Sequence, residues 1–395
     1  MTVKQWVPIG LIYCLGVLSS VSFGAVGPLA RDFGVAVHVS AQNAGSAFGF
    51  LFFPMLGAAT IGWASDRIGT RPILLLGAAC LFIDDVANLK VDSLSWLMVD
   101  NFVQGLGMIS ILVGGQTALA QMTSGKTQAG VMALWATQSN VGQSVGLLLS
   151  GDLADKPIWR MCFGVEGIAA LCLAIAALLF IRPRTAAAAA EAHRGSFVEL
   201  LGESKVLRLC LAFTLFTMLL IGASAAWPYY LSKIHNVPIG EIGRMAALAA
   251  PAGIAGSFAV GYLLSRSVIP RNIVLMYLVV SLVSTPFLYS AETDLRVVML
   301  AMILWQFCVG AVNAFIYTML PRFIINKRNI GTATGVLNNM AALASIGVVP
   351  LFFWIAALNQ ASMAFIALIT TCLVCSALLT PVWRLTGAVQ PQPIQ

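Results

Sequence analysis

The feature that most limits what this chain can fold into is its rhythm of long apolar runs separated by short polar breaks. Twelve such runs can be placed: 6–28, 41–63, 72–91, 95–121, 128–150, 159–181, 206–231, 240–264, 272–290, 296–320, 330–354 and 361–383. A helix that crosses the hydrocarbon core of a bilayer needs roughly 20 mainly apolar residues. No water reaches that core, so backbone N–H and C=O groups must bond within the segment, and a helix does this. Composition points the same way. Only 9% of the residues are charged and 59% are hydrophobic, with mean hydropathy +0.91. A soluble domain carries about 25% charged residues. The expectation is an all-α membrane protein of twelve transmembrane helices. The first run follows Met-Thr-Val-Lys and exceeds the length of a signal-peptide core, so it reads as a retained span.

Most breaks between runs are short. The exception is 182–205, which holds Arg182, Arg184, the alanines 186–190, Glu191, His193 and Arg194. It reads as a cytoplasmic, partly helical linker between an N-terminal six-helix half, 1–181, and a C-terminal half, 206–395, with a short tail. Topology follows from Lys and Arg, which collect on the cytoplasmic side. With the N-terminus inside, 15 of the 22 basic residues fall on the inner side and 7 on the outer. Both termini are then cytoplasmic and the span count is even. An internal repeat supports six plus six. Gly62, Asp66, Arg67 and Arg71 follow span two, and Gly261, Ser265, Arg266 and Arg271 follow span eight. Paired halves with a substrate site near mid-membrane are a known transporter architecture.

Other classes find no support. The eight cysteines all fall inside apolar runs, which suggests buried free thiols used as small hydrophobes rather than disulfides or a metal site. His38, His193 and His235 lie in expected loops. No catalytic triad, P-loop or zinc spacing appears, so the chain reads as no enzyme, with no cofactor and no metal. The net charge of +7 comes without the basic block and interleaved aromatics of a nucleic-acid binder.

The segment Gly62-Trp63-Ala64-Ser65-Asp66-Arg67-Ile68-Gly69-Thr70-Arg71 carries the most specific signal. Gly62 allows close helix contact and Gly69 a tight turn. Asp66 lies between two arginines at a helix end, where a carboxylate can meet unpaired N–H groups of a helix N-terminus. The pattern matches Gly-x3-Asp-Arg-x-Gly-x-Arg, and the chain resembles the major facilitator superfamily. Trp159-Arg160 at the start of span six is also common there. The resemblance implies a fold of two pseudo-symmetric six-helix halves, with Gly62, Asp66, Arg67, Gly69 and Arg71 acting as a latch on the inner side. It also implies a monomer in a bacterial inner membrane that handles a small-molecule substrate by alternating access. Spans one, four, seven and ten would line the cavity, with Tyr13, Gln104, Gln116, Trp227, Tyr229, Tyr230, Trp305, Gln306, Asn313 and Tyr317. Gln138, Asn140, Gln143, Asn338 and Asn339 would join them from spans five and eleven. The set offers amide, hydroxyl and aromatic surface. No Lys or Arg lies near mid-membrane on the lining helices, which counts against a strongly anionic substrate.

Two departures count against drug–proton antiport. Gln104-Gly105-Leu106-Gly107 is present in span four, but Asn101 stands where proton-coupled members often have arginine. In span five Gly142, Gly146 and Gly151 match the antiporter motif, while Leu147 replaces its proline and Ser150 a glycine. Glycines also recur at helix-packing spacing: Gly45 with Gly49, Gly142 with Gly146, Gly331 with Gly335.

Acids inside a membrane are costly and signal function by default. Spans three and four form a hairpin turning near Asp92, so Asp84 and Asp100, eight residues to either side, share one depth with Asp85. Ionised acids at one level repel one another, which favours a proton or cation among them. The opposing expectation is that span three ends early and leaves these acids in water. Glu166 in span six is a separate coupling candidate. The reading is a secondary transporter of a small organic solute, with protons as a candidate coupling ion. An uncoupled facilitator, a lipid flippase and a non-transporting sensor are the alternatives.

Overall fold

A computed structural model describes residues 3–39, 47–153, 156–181, 202–237, 239–325, 329–358 and 361–383. Most of the expected linker, 182–201, and the tail, 384–395, lie outside these residues. Among the described residues there are twelve α-helices and no strand. We label them α1 (Val3–Ala36), α2 (Ala58–Ile68), α3 (Thr70–Asn88), α4 (Leu94–Met122), α5 (Gly125–Leu153), α6 (Met161–Phe180), α7 (Ser204–His235), α8 (Ile239–Ser265), α9 (Pro270–Tyr289), α10 (Leu295–Phe323), α11 (Ile330–Ala357) and α12 (Ala361–Leu379). Eight of them, all but α2, α3, α5 and α11, hold a stretch long and apolar enough to cross a membrane by length and composition alone. In α3 any such stretch contains Arg71, Asp84 and Asp85. Large apolar side chains such as Leu148, Ile168, Leu179, Leu300 and Met363 face outward, as lipid contact requires.

The helix limits have local causes. Gly69, at φ 90°, separates α2 from α3 in a conformation that a side chain disfavours. Asn236 ends α7 in the left-handed region, a frequent helix stop. Pro270 opens α9 at a position where its missing N–H costs nothing. Asp294 caps α10 by accepting from the Arg296 N–H at 2.8 Å.

Two compact units emerge. The first comprises Met1–Met122, Gln138–Leu200 and Asn326–Asn339, and the second Thr123–Thr137, Leu201–Ile325 and Met340–Gln395. Helices α5 and α11 thus contribute to both. Within the first unit, α1, α3, α4 and α6 pack on one another. The glycines Gly142 and Gly146 of α5 press on the α1 backbone at Val17 and Val21. Gly62 of α2 meets Gly331 and Gly335 of α11 in the same backbone-to-backbone manner. Within the second unit, Gly256 and Gly310 bring α8 against α10, where Ser257 Oγ donates to the Gly310 carbonyl at 3.0 Å. Small residues at a crossing let backbones approach until dispersion contacts are dense.

Several sequence expectations need correction. Span two was expected as 41–63; instead 3-10 turns at Phe48–Phe52 and Pro54–Gly57 precede α2, which extends to Ile68. Pro54 has no N–H to continue a ladder, and Gly49 and Gly57 weaken helix on either side. Gly49 meets no neighbour within 4 Å, so it is not a packing glycine, and Gly45 lies outside the described residues. Cys80, Cys162, Cys210 and Cys308 are buried thiols, but Cys14, Cys172 and Cys375 are exposed and Cys372 is half-buried. A lipid-facing helix surface is as apolar as a core, so an apolar run does not separate the two. His235 is the last residue of α7 rather than a loop residue.

Candidate functional site

The loop that carried the sequence signal is built around one carboxylate. Asp66, in the last turn of α2, is buried and points at the first turn of α11. Its Oδ1 accepts the Gly331 N–H at 2.9 Å. Its Oδ2 accepts the Thr332 N–H at 2.7 Å and the Thr332 hydroxyl at 2.8 Å. The first N–H groups of a helix have no partner within it and carry partial positive charge, so a carboxylate there is doubly favoured. Glycine at 331 is required by this contact: a Cβ there would lie 2.6 Å from Asp66 Oδ1. The arginines have their own tasks. Arg67 stacks on the Trp63 ring at 4.1 Å, and Arg71 donates to the Leu178 carbonyl near the C-terminal end of α6. A cation at a helix C-terminus complements the negative end of its dipole.

The second set lies about 21 Å further along α3, at 1.5 Å per residue from Thr70 to Asp84. Helix α3 runs on to Asn88, so it does not end early, and the expectation of acids wetted at a surface fails. Asp84, Asp85 and Asp100 are 1%, 2% and 4% exposed, and Glu166 is 2% exposed. Asp84 and Asp100 approach to hydrogen-bonding reach across the α3–α4 hairpin. Asp85 faces α6, where a Cβ on Gly167 would lie 3.2 Å from the Asp85 Cβ, and its carboxyl feels the charge of Glu166. Glu166 is therefore not a separate candidate; it belongs with the three aspartates. Its Oε2 accepts from Ser22 Oγ of α1 at 2.7 Å. Asn88, one turn beyond Asp84, donates to Asp84 Oδ1 at 3.2 Å. Four helices, α1, α3, α4 and α6, thus supply one group of buried polar side chains.

The expected cavity residues are spread over both units. Gln104, Gln116, Gln138 and Trp305 are buried, while Tyr13, Gln306, Asn313, Tyr317 and Asn338 are half-buried. Gln138 Oε1 accepts from Ser20 Oγ at 3.1 Å, and Asn338 Nδ2 donates to the Thr334 carbonyl at 2.8 Å. Tyr317 lies against Phe213. Tyr230 is fully buried among Tyr289, Phe365 and Ser362, and its hydroxyl contacts the Tyr289 carbonyl and Ser362 Oγ. It has no free surface to present to a cavity. The side chains of Trp227 and Tyr229 lie outside the described residues. Among the described residues two buried amide donors have no partner, Gln116 Nε2 and Asn140 Nδ2, both in the first unit.

Sequence reasoning missed Thr332, Ser22 and Asn88. Asn88 stands four residues after Asp84, a spacing that puts both on one helix face and that a search around the acids could have caught. Thr332 and Ser22 meet their partners over 266 and 144 residues, and no local pattern announces them.

Comparison with known proteins agrees with this architecture. A model of the Major Facilitator Superfamily matches residues 9–350. The chain is 32% identical over 126 residues to the multidrug resistance protein MdtM of Salmonella typhimurium, a match that covers 32% of this chain and 30% of that relative. It is 24% identical over 292 residues to the multidrug transporter MdfA of Yersinia pestis, covering 71% of this chain and 70% of the relative. The fold is similar to that of the human organic anion transporter MFSD10, with TM-score 0.75 at 15% identity over 96% of this chain and 98% of that one. The twelve helices, the Gly62–Arg71 loop and the family match together place the chain: it belongs to the major facilitator superfamily, as a membrane-spanning secondary transporter and not an enzyme.

Proposed function

We propose that this transporter exports small amphiphilic organic solutes, neutral or cationic, across a bacterial inner membrane by alternating access, as a monomer with both termini in the cytoplasm. The observation that carries the alternating-access part is the Asp66 carboxylate with its three hydrogen bonds from the first turn of α11. A charge-assisted clasp of this kind is strong when closed and has to be broken for α2 and α11 to part, so it holds one side of the membrane shut until the cycle opens it. The names of the relatives MdtM and MdfA support export of drugs. The unpartnered donors on Gln116 and Asn140 favour a solute with acceptor oxygens, since a buried donor without a partner costs free energy that a ligand recovers. The lack of a basic residue near mid-membrane disfavours anions.

The test is flux in proteoliposomes with chloramphenicol, a neutral amphiphile, and ethidium, a cationic one, each with and without an imposed pH gradient. Asp66→Asn keeps the size of the side chain but turns an amide N–H₂ toward donors. We expect flux to fall roughly tenfold, the rate equivalent of about 1.4 kcal/mol, with the purified variant still monodisperse. Unchanged flux would remove the clasp from the cycle. The uncoupled facilitator is the second reading, favoured by Asn101 in the place of arginine. It predicts wild-type flux that ignores the pH gradient.

A further inference from the structure

We propose that Asp84, Asp85, Asp100 and Glu166, joined by Ser22 and Asn88, form a buried relay that holds protons between α1 and α4 and supplies the coupling ion of this transporter. The proposal rests on the transporter reading above and adds the ion and its site.

The starting point is a set of unpaired atoms. Asp84 Oδ2, Asp85 Oδ1, Asp100 Oδ2, Glu166 Oε1 and Asn88 Oδ1 are all buried without a hydrogen-bond partner among the described residues. Every one of them is an acceptor, so the site is short of donors. Asn88 is the independent witness: it is no acid, it is 5% exposed, its amide N–H₂ is spent on Asp84, and its oxygen still lacks a donor. The surrounding helices supply no described cation. Helix α1 offers Ser22, α3 offers Asp84, Asp85 and Asn88, α4 offers Asp100 and Asn101, and α6 offers Glu166 and Cys162. The nearest guanidinium, Arg160, donates to the Leu89 and Val91 carbonyls at 2.8 and 2.6 Å and so clasps the α3–α4 turn. Lys90, Asp92 and Lys156 are exposed in turns.

A proton resolves this shortage. An ionised carboxylate buried without a cation costs several kcal/mol, and neighbouring like charges add to it. Protonating one carboxyl removes its charge and makes a donor for a neighbour's vacant oxygen. Two carboxyls in hydrogen-bonding reach, as Asp84 and Asp100 are, can bond only with a proton between them. Asp85 and Glu166 lie close enough on α3 and α6 for their charges to interact, and Ser22 bonds Glu166 from α1.

The relay is also closed on one side. Beyond it, toward the ends of the helices away from Asp66, lies an apolar cluster of Leu29, Phe33, Leu97, Trp159, Cys162 and Phe163. Phe33 stands 4.9 Å from Trp159 and 5.7 Å from Phe163, ring centre to ring centre, in edge-to-face contact. This aromatic cluster covers the acids on that side; it is drawn from α1, α4, α6 and the turn before α6, and of these α4 and α6 also carry acids while α1 carries Ser22. Motion of α1 or α4 would therefore change both proton access and the contacts that hold the protons. That is the linkage a coupled transporter needs, since a ligand shifts an equilibrium only by its differential affinity for the two states.

Infrared spectroscopy of the purified full-length chain tests this without any substrate. At neutral pH the wild type should show the C=O stretch of protonated carboxyls, displaced in D₂O. The band should weaken in Asp84→Asn, Asp100→Asn and Glu166→Gln, weaken further in the double variant of Asp84 and Glu166, and persist in Glu292→Gln, which alters an exposed loop acid. In proteoliposomes, Asp100→Asn and Glu166→Gln should lose pH-driven accumulation of chloramphenicol while still exchanging it across the membrane. Absence of the band in the wild type would overturn the proposal, as would a band indifferent to all three relay substitutions or one abolished by sodium at constant pH. The wild-type band requires no variant to fold. A wild type that holds the band yet moves neither probe strikes the export reading and leaves the protonated relay standing.

Discussion

Asp66 shows what one side chain contributes when a helix terminus is waiting for it. Among the donors that converge on it are two backbone N–H groups, which only proline at 331 or 332 would remove. The contact depends on glycines as much as on the acid. A Cβ on Gly62 would strike the Gly331 carbonyl, and one on Gly331 would strike Asp66 itself. Gly62→Ala and Gly331→Ala should each lower stability by about 1–3 kcal/mol, the usual cost of overpacking, and should reduce flux. Gly49→Ala and Gly130→Ala, which meet nothing within 4 Å, should melt like wild type. Thermal unfolding in detergent separates the two groups; equal midpoints for all four would refute the close contact. Tyr230 allows a second comparison at this scale. Tyr230→Phe deletes a buried hydroxyl that bonds Tyr289 and Ser362. It should cost about 1–2 kcal/mol and leave the KM for chloramphenicol unchanged. A raised KM at unaltered stability would return Tyr230 to the cavity.

Among the elements, α5 and α1 are held mainly by shape, with one buried hydrogen bond between them from Ser20 Oγ to Gln138 Oε1. Gly142 and Gly146 lie one turn apart and admit the α1 backbone at Val17 and Val21, and Gly24 of α1 answers against Gln143. The antiporter motif has proline at position 147; with leucine there, α5 is continuous from Gly125 to Leu153. An unbroken helix with small residues on one face can slide along its neighbour without losing backbone hydrogen bonds. Gly146→Leu should therefore block transport with the protein still inserted, whereas a Gly142→Ala variant should keep part of the flux. Full flux in Gly146→Leu would show that the α1–α5 contact is not needed by the cycle. The periodicity of apolar residues located these helices but not which faces touch. In a membrane both the packed face and the lipid face are apolar, so the hydrophobic signal that orients a soluble helix is lost. Cys14 and Cys80 look alike in sequence, yet one is exposed and the other buried.

Across the whole molecule the internal repeat at an offset of 199 residues reappears as paired contacts. Gly62 of α2 meets α11, and Gly261 of α8 meets Ala133 of α5. Arg67 stacks on Trp63 at 4.1 Å, and Arg266 stacks on Tyr262 at 5.2 Å. The copies differ at the acid. Ser265 stands where Asp66 would be expected and donates to its own Tyr262 carbonyl. A carboxylate clasp is thus present in one copy and not in the other. The placement of Lys and Arg, 15 against 7, predicts that a reporter fused after Gln395 is active in the cytoplasm. A periplasmic signal would mean an odd number of crossings.

The sequence alone determined the class of the protein, because a chain this poor in charge and this regular in apolar runs has few ways to satisfy its backbone other than helices in a membrane. It also marked the loop from Gly62 to Arg71, because Gly69 serves the tight turn there and an aspartate between two arginines at a helix end stands out in an apolar chain. Only the tertiary structure decided what the acids face. Asp66 needed Thr332, and Glu166 needed Ser22 and Asp85, from helices far away in sequence. A carboxylate's chemistry depends on whether water, a cation, an N–H group or another carboxylate lies within a few ångströms, and that neighbour is chosen by packing rather than by spacing along the chain.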